Sequence, residues 1–491
     1  MFAGAVFADE ADVFDPSAVL PKTSAVTCVK RCAAGERLGA KKAEVRKPCT
    51  VVEWVSSPVP RSKIRCRVIL PEKDAWNGML YGVGGGGRSG YDYPLAEAAK
   101  GFAAAMSDLG SGGGQASNTA AMVDFAWRST HVMTVEAKKV IEAFYGRRII
   151  RSVFVGGSTG GGQGIREASE FPEDYDGIVV TSPCINRINQ NAGNYWKFLQ
   201  THGPDGAPLF DTEKVETLQA ATVDWFADRD EPYCRGKFLS DTRYDKASAD
   251  GVLDLAAKRD AFFADPDIRA RLHRLWEGPV VDGKRLGFGQ PMGGRVIGDL
   301  LKQDADTLVS FCWSWHCGEK RKYRDVTWKD FRAFAEECAY LNMRSCDLSK
   351  FRDRGGKLIV IAGGTDRTVP QGMAIEWYER MVAETCGGDI EKAKDFARLY
   401  VVQLCGHGNG RCGIPVGAGV VLDWVEKGKV PGRQTATGTD FDGKPQRFPV
   451  AVYPMKMSGS AADGWTEVPM RRDLPCVADE WWYPKAWDAS R

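Results

Sequence analysis

Read for the spacing of apolar and polar positions, the chain divides into a strand-rich start, an alternation of strands and helices, a long looser stretch, and a return of strands. Over 44–71, apolar and polar residues alternate in Thr50-Val51-Val52-Glu53-Trp54-Val55 and in Ile64-Arg65-Cys66-Arg67-Val68-Ile69-Leu70, between prolines. That pattern predicts antiparallel strands at the edge of a sheet. Residues 79–83 follow as a short apolar strand after the turn Trp76-Asn77-Gly78, then 95–100 as a short helix and 102–106 as a strand. A helix predicted over 125–145 places Met133, Ala137, Val140, Ile141 and Phe144 on one face, with Glu136, Lys138, Lys139 and Glu142 largely off it. A strand at 151–155, a glycine-rich turn, a helix over 163–170 and a strand at 178–181 complete the order expected of a parallel α/β sheet.

Over 186–347 the pattern loosens into helical text with several tryptophans and few strong strands, which reads as an inserted lid. Strand text returns at 356–364 and 397–404 with a helix over 372–384 between them. The sheet therefore resumes, and 1–185 and 348–491 belong to one domain interrupted by the lid.

Composition narrows the class. With 491 residues the chain exceeds one ordinary core, and its formal charge of +2, without a long run of one sign, argues against nucleic acid or an anionic membrane as partner. No apolar run approaches the ~18 residues of a spanning helix. Fourteen cysteines, without paired Cys-x-x-Cys spacing, favour disulfides and an oxidising compartment, secreted or periplasmic. Residues 1–8 are apolar and resemble the tail of a signal peptide without its basic start; a cytoplasmic protein with a frayed terminus is the alternative.

The candidate chemistry centres on Gly156-Gly157-Ser158-Thr159-Gly160, directly after the strand at 151–155. A serine lifted on a strained strand-to-helix turn needs small neighbours, and Gly-x-Ser-x-Gly marks such a nucleophile elbow. The run Gly84 to Gly87 after the strand at 79–83 suits an oxyanion hole, because residues without side chains let backbone N–H groups approach a negative oxygen. A dinucleotide cradle would need a helix straight after the glycines, and 88–94 is a poor helix start. Among five histidines only His407 follows a predicted sheet strand, and Asp366 lies just past the preceding one. The order Ser158, Asp366, His407 is that of an α/β-hydrolase triad, which sets the expected fold: an α/β-hydrolase with a large inserted lid.

These residues lie in text that resembles the tannase and feruloyl esterase family, which includes mono(hydroxyethyl) terephthalate hydrolase. The resemblance rests on Trp76-Asn77-Gly78, Gly84 to Gly90, Asp124-Phe125-Ala126-Trp127-Arg128 through His131, Ser158-Thr159-Gly160-Gly161, Phe171-Pro172-Glu173-Asp174-Tyr175-Asp176-Gly177, and the stretch from Asp347 through Asp366 to Arg380. It implies Ser158 as nucleophile, His407 as base and Asp366 as acid, with N–H groups of Thr159 and of Gly86 or Gly87 as the oxyanion hole. It also implies a small aromatic ester of feruloyl or galloyl type as substrate and no required cofactor. Trp225, Trp276, Trp313 and Trp315 in the lid are suited to stacking on such a ring.

The family's lid often holds calcium, and here only Asp250 and Asp254 resemble that site. The family's bonded cysteines beside the serine and histidine are replaced by Gly157 and Gly408, both together, so activity is still expected. Cys405 and Cys412 bracket His407 and are expected to bond to each other. Two other functions share these residues: a non-catalytic binding protein on the same fold, and an acyltransferase using the same triad.

Overall fold

The computed structural model describes residues 14–87, 90, 92–110, 118–227, 239, 241–302, 322–407, 413–440, 443–460 and 464–471. Nine strands build the central sheet: β1 (Ser24–Cys32), β2 (Cys49–Ser56), β3 (Ile64–Pro71), β4 (Met79–Val83), β5 (Ala103–Ser107), β6 (Arg151–Gly157), β7 (Gly177–Thr181), β8 (Lys357–Gly363) and β9 (Ala397–Val402). Their order is β1-β2-β3-β5-β4-β6-β7-β8-β9. The first three strands pair antiparallel and β3 is antiparallel to β5, while the remaining pairs are parallel. The exchange of β4 and β5 is the crossover of an α/β-hydrolase sheet, carried here with an additional strand at the amino-terminal edge. The antiparallel edge and the parallel centre thus stand where the periodicity placed them.

The helices used below are α1 (Ser129–Tyr145), α2 (Thr159–Glu170), α3 (Arg187–Thr201), α4 (Thr212–Ala227), α5 (Lys246–Arg259), α6 (Pro266–Glu277), α7 (Trp328–Glu337), α8 (Gln371–Cys386) and α9 (Ala418–Lys427). The faces of α1, α2 and α8 join one core with Trp54, Val68, Phe154, Val180 and Val360. On α1, Met133, Ala137, Val140 and Ile141 are buried as the spacing predicts. Glu136 is buried too, against the expectation, because its carboxylate accepts from Trp54 Nε1 (2.5 Å), Ser56 Oγ (3.0 Å) and Ser24 Oγ (2.9 Å). Helical spacing sees only the helix, whereas those three donors come from β1 and β2.

Between β7 and β8 the described residues are mostly helical, with Val280–Val281 laddered against Lys284–Arg285; one apolar cluster lies within this stretch and a second joins it to Leu109, Met122 and Phe125. After α9 come two hairpins that sequence reading left undescribed, β10 (Gln434–Thr439) with β11 (Pro445–Val450), and β12 (Met455–Ser460) with β13 (Gly464–Pro469). Phe448, Val450 and Met457 share a core with Tyr400 and Val402, and the Tyr453 N–H donates to Leu399 O at 2.8 Å. The hairpins therefore cover the β9 edge of the sheet, which would otherwise offer open backbone groups.

No described helix is long and apolar enough to cross a membrane. Cys28, Cys32, Cys49, Cys184, Cys346 and Cys386 are free thiols, so the disulfide expectation does not extend to them. Cys405 is disulfide-bonded, and its partner, like Cys412 and Gly408, lies outside the described residues.

Candidate active site

The carboxyl end of β6 runs into Ser158 at φ 56° and ψ −118°, and α2 starts at the next residue. This is earlier than the sequence suggests: Gly160, Gly161 and Gly162 lie within the helix, not in a turn before it. They are small because of close approach. A Cβ at Gly160 would come within 2.7 Å of Gly84 C and Gly85 O, and one at Gly156 would strike Gly160 O. Gly157 is different, since a Cβ there would meet only Thr181 O, at 3.6 Å. The strained Ser158 backbone is held from three sides, with Ser158 N donating to Thr181 O (2.9 Å) and Ser158 O accepting from Gly162 N (3.1 Å) and Cys184 N (2.9 Å).

The loops after β8 and β9 bring in the other two groups. His407 Nε2 lies 2.9 Å from Ser158 Oγ, and His407 Nδ1 lies 2.9 Å from Asp366 Oδ2. Asp366 is fully buried, and its other oxygen accepts from the N–H groups of Thr368 and Val369, both at 2.8 Å. These three bonds satisfy the buried carboxylate and aim it at the imidazole. Separations in sequence of 208 and 41 residues thus close into one hydrogen-bonded line.

Beside the serine, the glycine loop after β4 is partly committed. Gly84 N donates to Val155 O and Gly85 N to Gln163 Oε1, whereas the N–H groups of Gly86 and Gly87 have no acceptor among the described residues. Thr159 opens α2, where a backbone N–H lacks an intrahelical acceptor. Its hydroxyl donates to Gly87 O at 2.9 Å and accepts from Arg187 Nη2 at 2.8 Å. Phe125, Ala126, Cys184, Ile185, Leu341 and Met343 line a narrow cleft alongside Thr159 and Arg187.

Helix α3 supplies groups that sequence reading missed. Arg187 steadies Thr159, Gln190 Nε2 donates to Thr368 O (2.8 Å) on the Asp366 loop, and Lys197 donates to Asn194 Oδ1 (2.9 Å). Burial pushes the Lys197 ammonium down to about 7, Arg367 adding to the effect and Asp366 opposing it. The spacing 187, 190, 194, 197 is a polar helical stripe and was the available signal. Cys184 was also missed, and its Sγ is 3.6 Å from Ser158 Oγ.

Other sequence candidates fall elsewhere. Asp250 and Asp254 lie on α5, where Asp250 faces Lys246 Nζ (2.8 Å) and His273 Nε2 (3.1 Å) and Asp254 faces Arg269 Nη2 (2.8 Å). Trp276 is core, not a stacking surface, because it is buried among the α4, α5 and α6 side chains, and Trp225 packs against Gly251. Trp313 and Trp315 lie outside the described residues.

With this geometry in place, comparison with known proteins is direct. The family model for tannase and feruloyl esterase matches residues 49–287 and 320–464. The chain belongs to the tannase and feruloyl esterase family. It is a carboxylic ester hydrolase. A probable feruloyl esterase B-2 of Aspergillus flavus is 39% identical over 436 residues, covering 80% of each chain. Feruloyl esterase B of Aspergillus niger is 26% identical over 431 residues, covering 78% of each. Among solved structures, feruloyl esterase B from Aspergillus oryzae superposes with a TM-score of 0.75 at 19% identity, over 92% of this chain and 98% of its own. Tannin acyl hydrolase from Aspergillus niger gives 0.71 at 15%, over 94% and 95%. At these identities the two structures establish the shared fold.

Proposed function

We propose that the chain hydrolyses esters of aromatic acids through an acyl-enzyme on Ser158. The observation that carries this reading is His407, with one ring nitrogen 2.9 Å from Ser158 Oγ and the other 2.9 Å from Asp366. As Ser158 Oγ attacks the ester carbonyl carbon, its proton passes to His407 Nε2, and Asp366 stabilises the imidazolium. The carbonyl oxygen becomes anionic and is received by the N–H groups of Thr159 and of Gly86 or Gly87. Collapse of the tetrahedral intermediate breaks the bond to the alcohol, which leaves with the proton from His407. Water then attacks the acyl-enzyme with His407 again as base, releasing the acid and restoring Ser158.

The aromatic acyl class is supported by the printed names of the relatives and by the partly apolar cleft beside Thr159, with Phe125, Leu341 and Met343 in its wall. Placement in an oxidising compartment is supported by the disulfide at Cys405. Kinetics on a panel of aryl and alkyl esters with wild type and Ser158→Ala test the reading. A loss of about 10³-fold or more in Ser158→Ala, with aryl substrates preferred by wild type, is the expected result. Equal turnover by the two proteins would falsify the triad. Transfer to an added alcohol outpacing hydrolysis would make the chain an acyltransferase.

A further inference from the structure

On the flank of α2 away from the serine, three side chains converge that the ester chemistry does not use. His131 comes from α1, Glu167 from α2, and Asp174 from the loop before β7. One nitrogen of His131 and one carboxylate oxygen from each of Glu167 and Asp174 all lie within 4.8 Å of one another. His131 Nδ1 is 2.7 Å from Asp174 Oδ2, and the imidazole stacks on Phe171 with 3.9 Å between centroids and 13° between planes, which fixes its orientation. Glu167 is 2% exposed and Asp174 5%, whereas 31% of the His131 side chain reaches solvent, so the cluster opens outward through the imidazole.

Two acceptors meet inside the cluster. Glu167 Oε2 is buried without a donor aimed at it, and burial, followed by the facing Asp174 carboxylate, pushes the Glu167 carboxyl well above the usual carboxylate range, so that a shared proton or a cation has to lie between the two. Lys138 offsets part of this charge, since its buried ammonium is drawn to Asp174 and Glu167, but it donates to Glu173 O and lies over the Tyr175 ring, and Arg354 pairs with Glu173 and Asp176. A buried carboxylate oxygen without a donor costs several kcal/mol unless something positive meets it.

We infer that His131, Glu167 and Asp174 form a binding site for a divalent transition-metal cation of the zinc or manganese class. Such a cation would bridge α1, α2 and the loop between α2 and β7. One imidazole nitrogen with two carboxylate oxygens suits these metals better than calcium, which takes six to eight oxygens. Bonds of about 2.1 Å place donors about 3–3.5 Å apart, so the His131–Asp174 contact of 2.7 Å would open slightly and the three donors, now within 4.8 Å of one another, would settle around the cation. Water fills the remaining positions on the solvent side. Since Glu167 stands on the helix that begins at Thr159, occupancy would anchor the far end of the helix that holds the nucleophile turn.

The test uses the full chain, stripped with a chelator and titrated with Zn²⁺ or Mn²⁺ alone. Metal content after gel filtration and the melting temperature are read together, and visible absorption is recorded with Co²⁺ in place of zinc. About one tightly held equivalent and a melting temperature raised by several degrees are expected. Affinity should fall about tenfold or more in His131→Gln and in Glu167→Gln. His131→Gln, at the partly exposed member, decides the matter if Glu167→Gln does not fold. The inference is overturned if wild type retains less than about a tenth of an equivalent, or if His131→Gln binds metal and stains with Co²⁺ as wild type does. Either result assigns the cluster to a proton shared between Glu167 and Asp174.

Discussion

The guanidinium of Arg187, on the first turn of the helix that follows β7, donates to the Thr159 hydroxyl at 2.8 Å, and that hydroxyl donates onward to the Gly87 carbonyl at 2.9 Å. One chain of two hydrogen bonds therefore fixes both walls of the proposed oxyanion hole relative to each other. Arg187 is buried, and its remaining charged contact is with the face of Phe125, 5.1 Å from the ring centroid.

Arg187→Ala is expected to lower kcat by about tenfold with KM little changed. The N–H donors remain but lose their fixed spacing, and oxyanion stabilisation acts only in the transition state. Steady-state kinetics on one aryl ester check this, and a change confined to KM would assign Arg187 to substrate binding.

The elbow glycines should differ sharply in tolerance. Gly157→Ala adds a methyl whose nearest neighbour is Thr181 O at 3.6 Å, an ordinary contact, so activity within about twofold of wild type is expected. Gly160→Ala forces the methyl into the Gly84 and Gly85 backbone at 2.7 Å and should remove most activity by displacing the glycine loop. Comparing the two purified variants in one ester assay separates these outcomes.

Cys184 Sγ lies 3.6 Å from Ser158 Oγ and in the wall of the cleft. Methyl methanethiosulfonate should therefore inactivate wild type, and Cys184→Ala should retain turnover and resist the reagent. Equal loss in both proteins would move the effect to another of the free thiols.

Lys197 provides a pH signature. Its folded-state value of about 7 lies below the ordinary 10.5, so between these limits the unfolded chain binds the extra proton. Unfolding free energy should then rise with pH across this window, by up to about 1.4 kcal/mol per unit from this one group, and be level on its account below 7. Lys197→Met should flatten that rise. Urea denaturation at several pH values between about 7 and 10 measures the slope, and an unchanged slope in the variant would remove Lys197 as its source.

The local code was legible wherever one element decides its own structure. Alternation in β2 and β3 and the apolar face of α1 are local features that stand in the fold as read, and Ser158, Asp366 and His407, picked out by their order along the chain, lie within hydrogen-bond distance of one another in line. The reading failed where the partner came from elsewhere in the chain. Glu136 lies off the helical face by spacing and is buried because Trp54, Ser56 and Ser24 reach it from the sheet edge. Gly160 to Gly162 looked like turn residues and are helix, small because the Gly84 loop and Pro183-Cys184 press against them.

By itself the sequence determined the sheet, the sharp strand-to-helix passage at Ser158 and the choice of Asp366 and His407 as the residues to look for beside it, since periodicity and residue type carry those through near-neighbour sterics. Only the tertiary structure decided that a helix of the inserted segment supports the site through Arg187, Gln190 and Lys197, and that His131 meets Glu167 and Asp174. Those contacts depend on the packing of separate elements, and hydrogen bonds between residues 28 to 178 positions apart leave no period in a sequence.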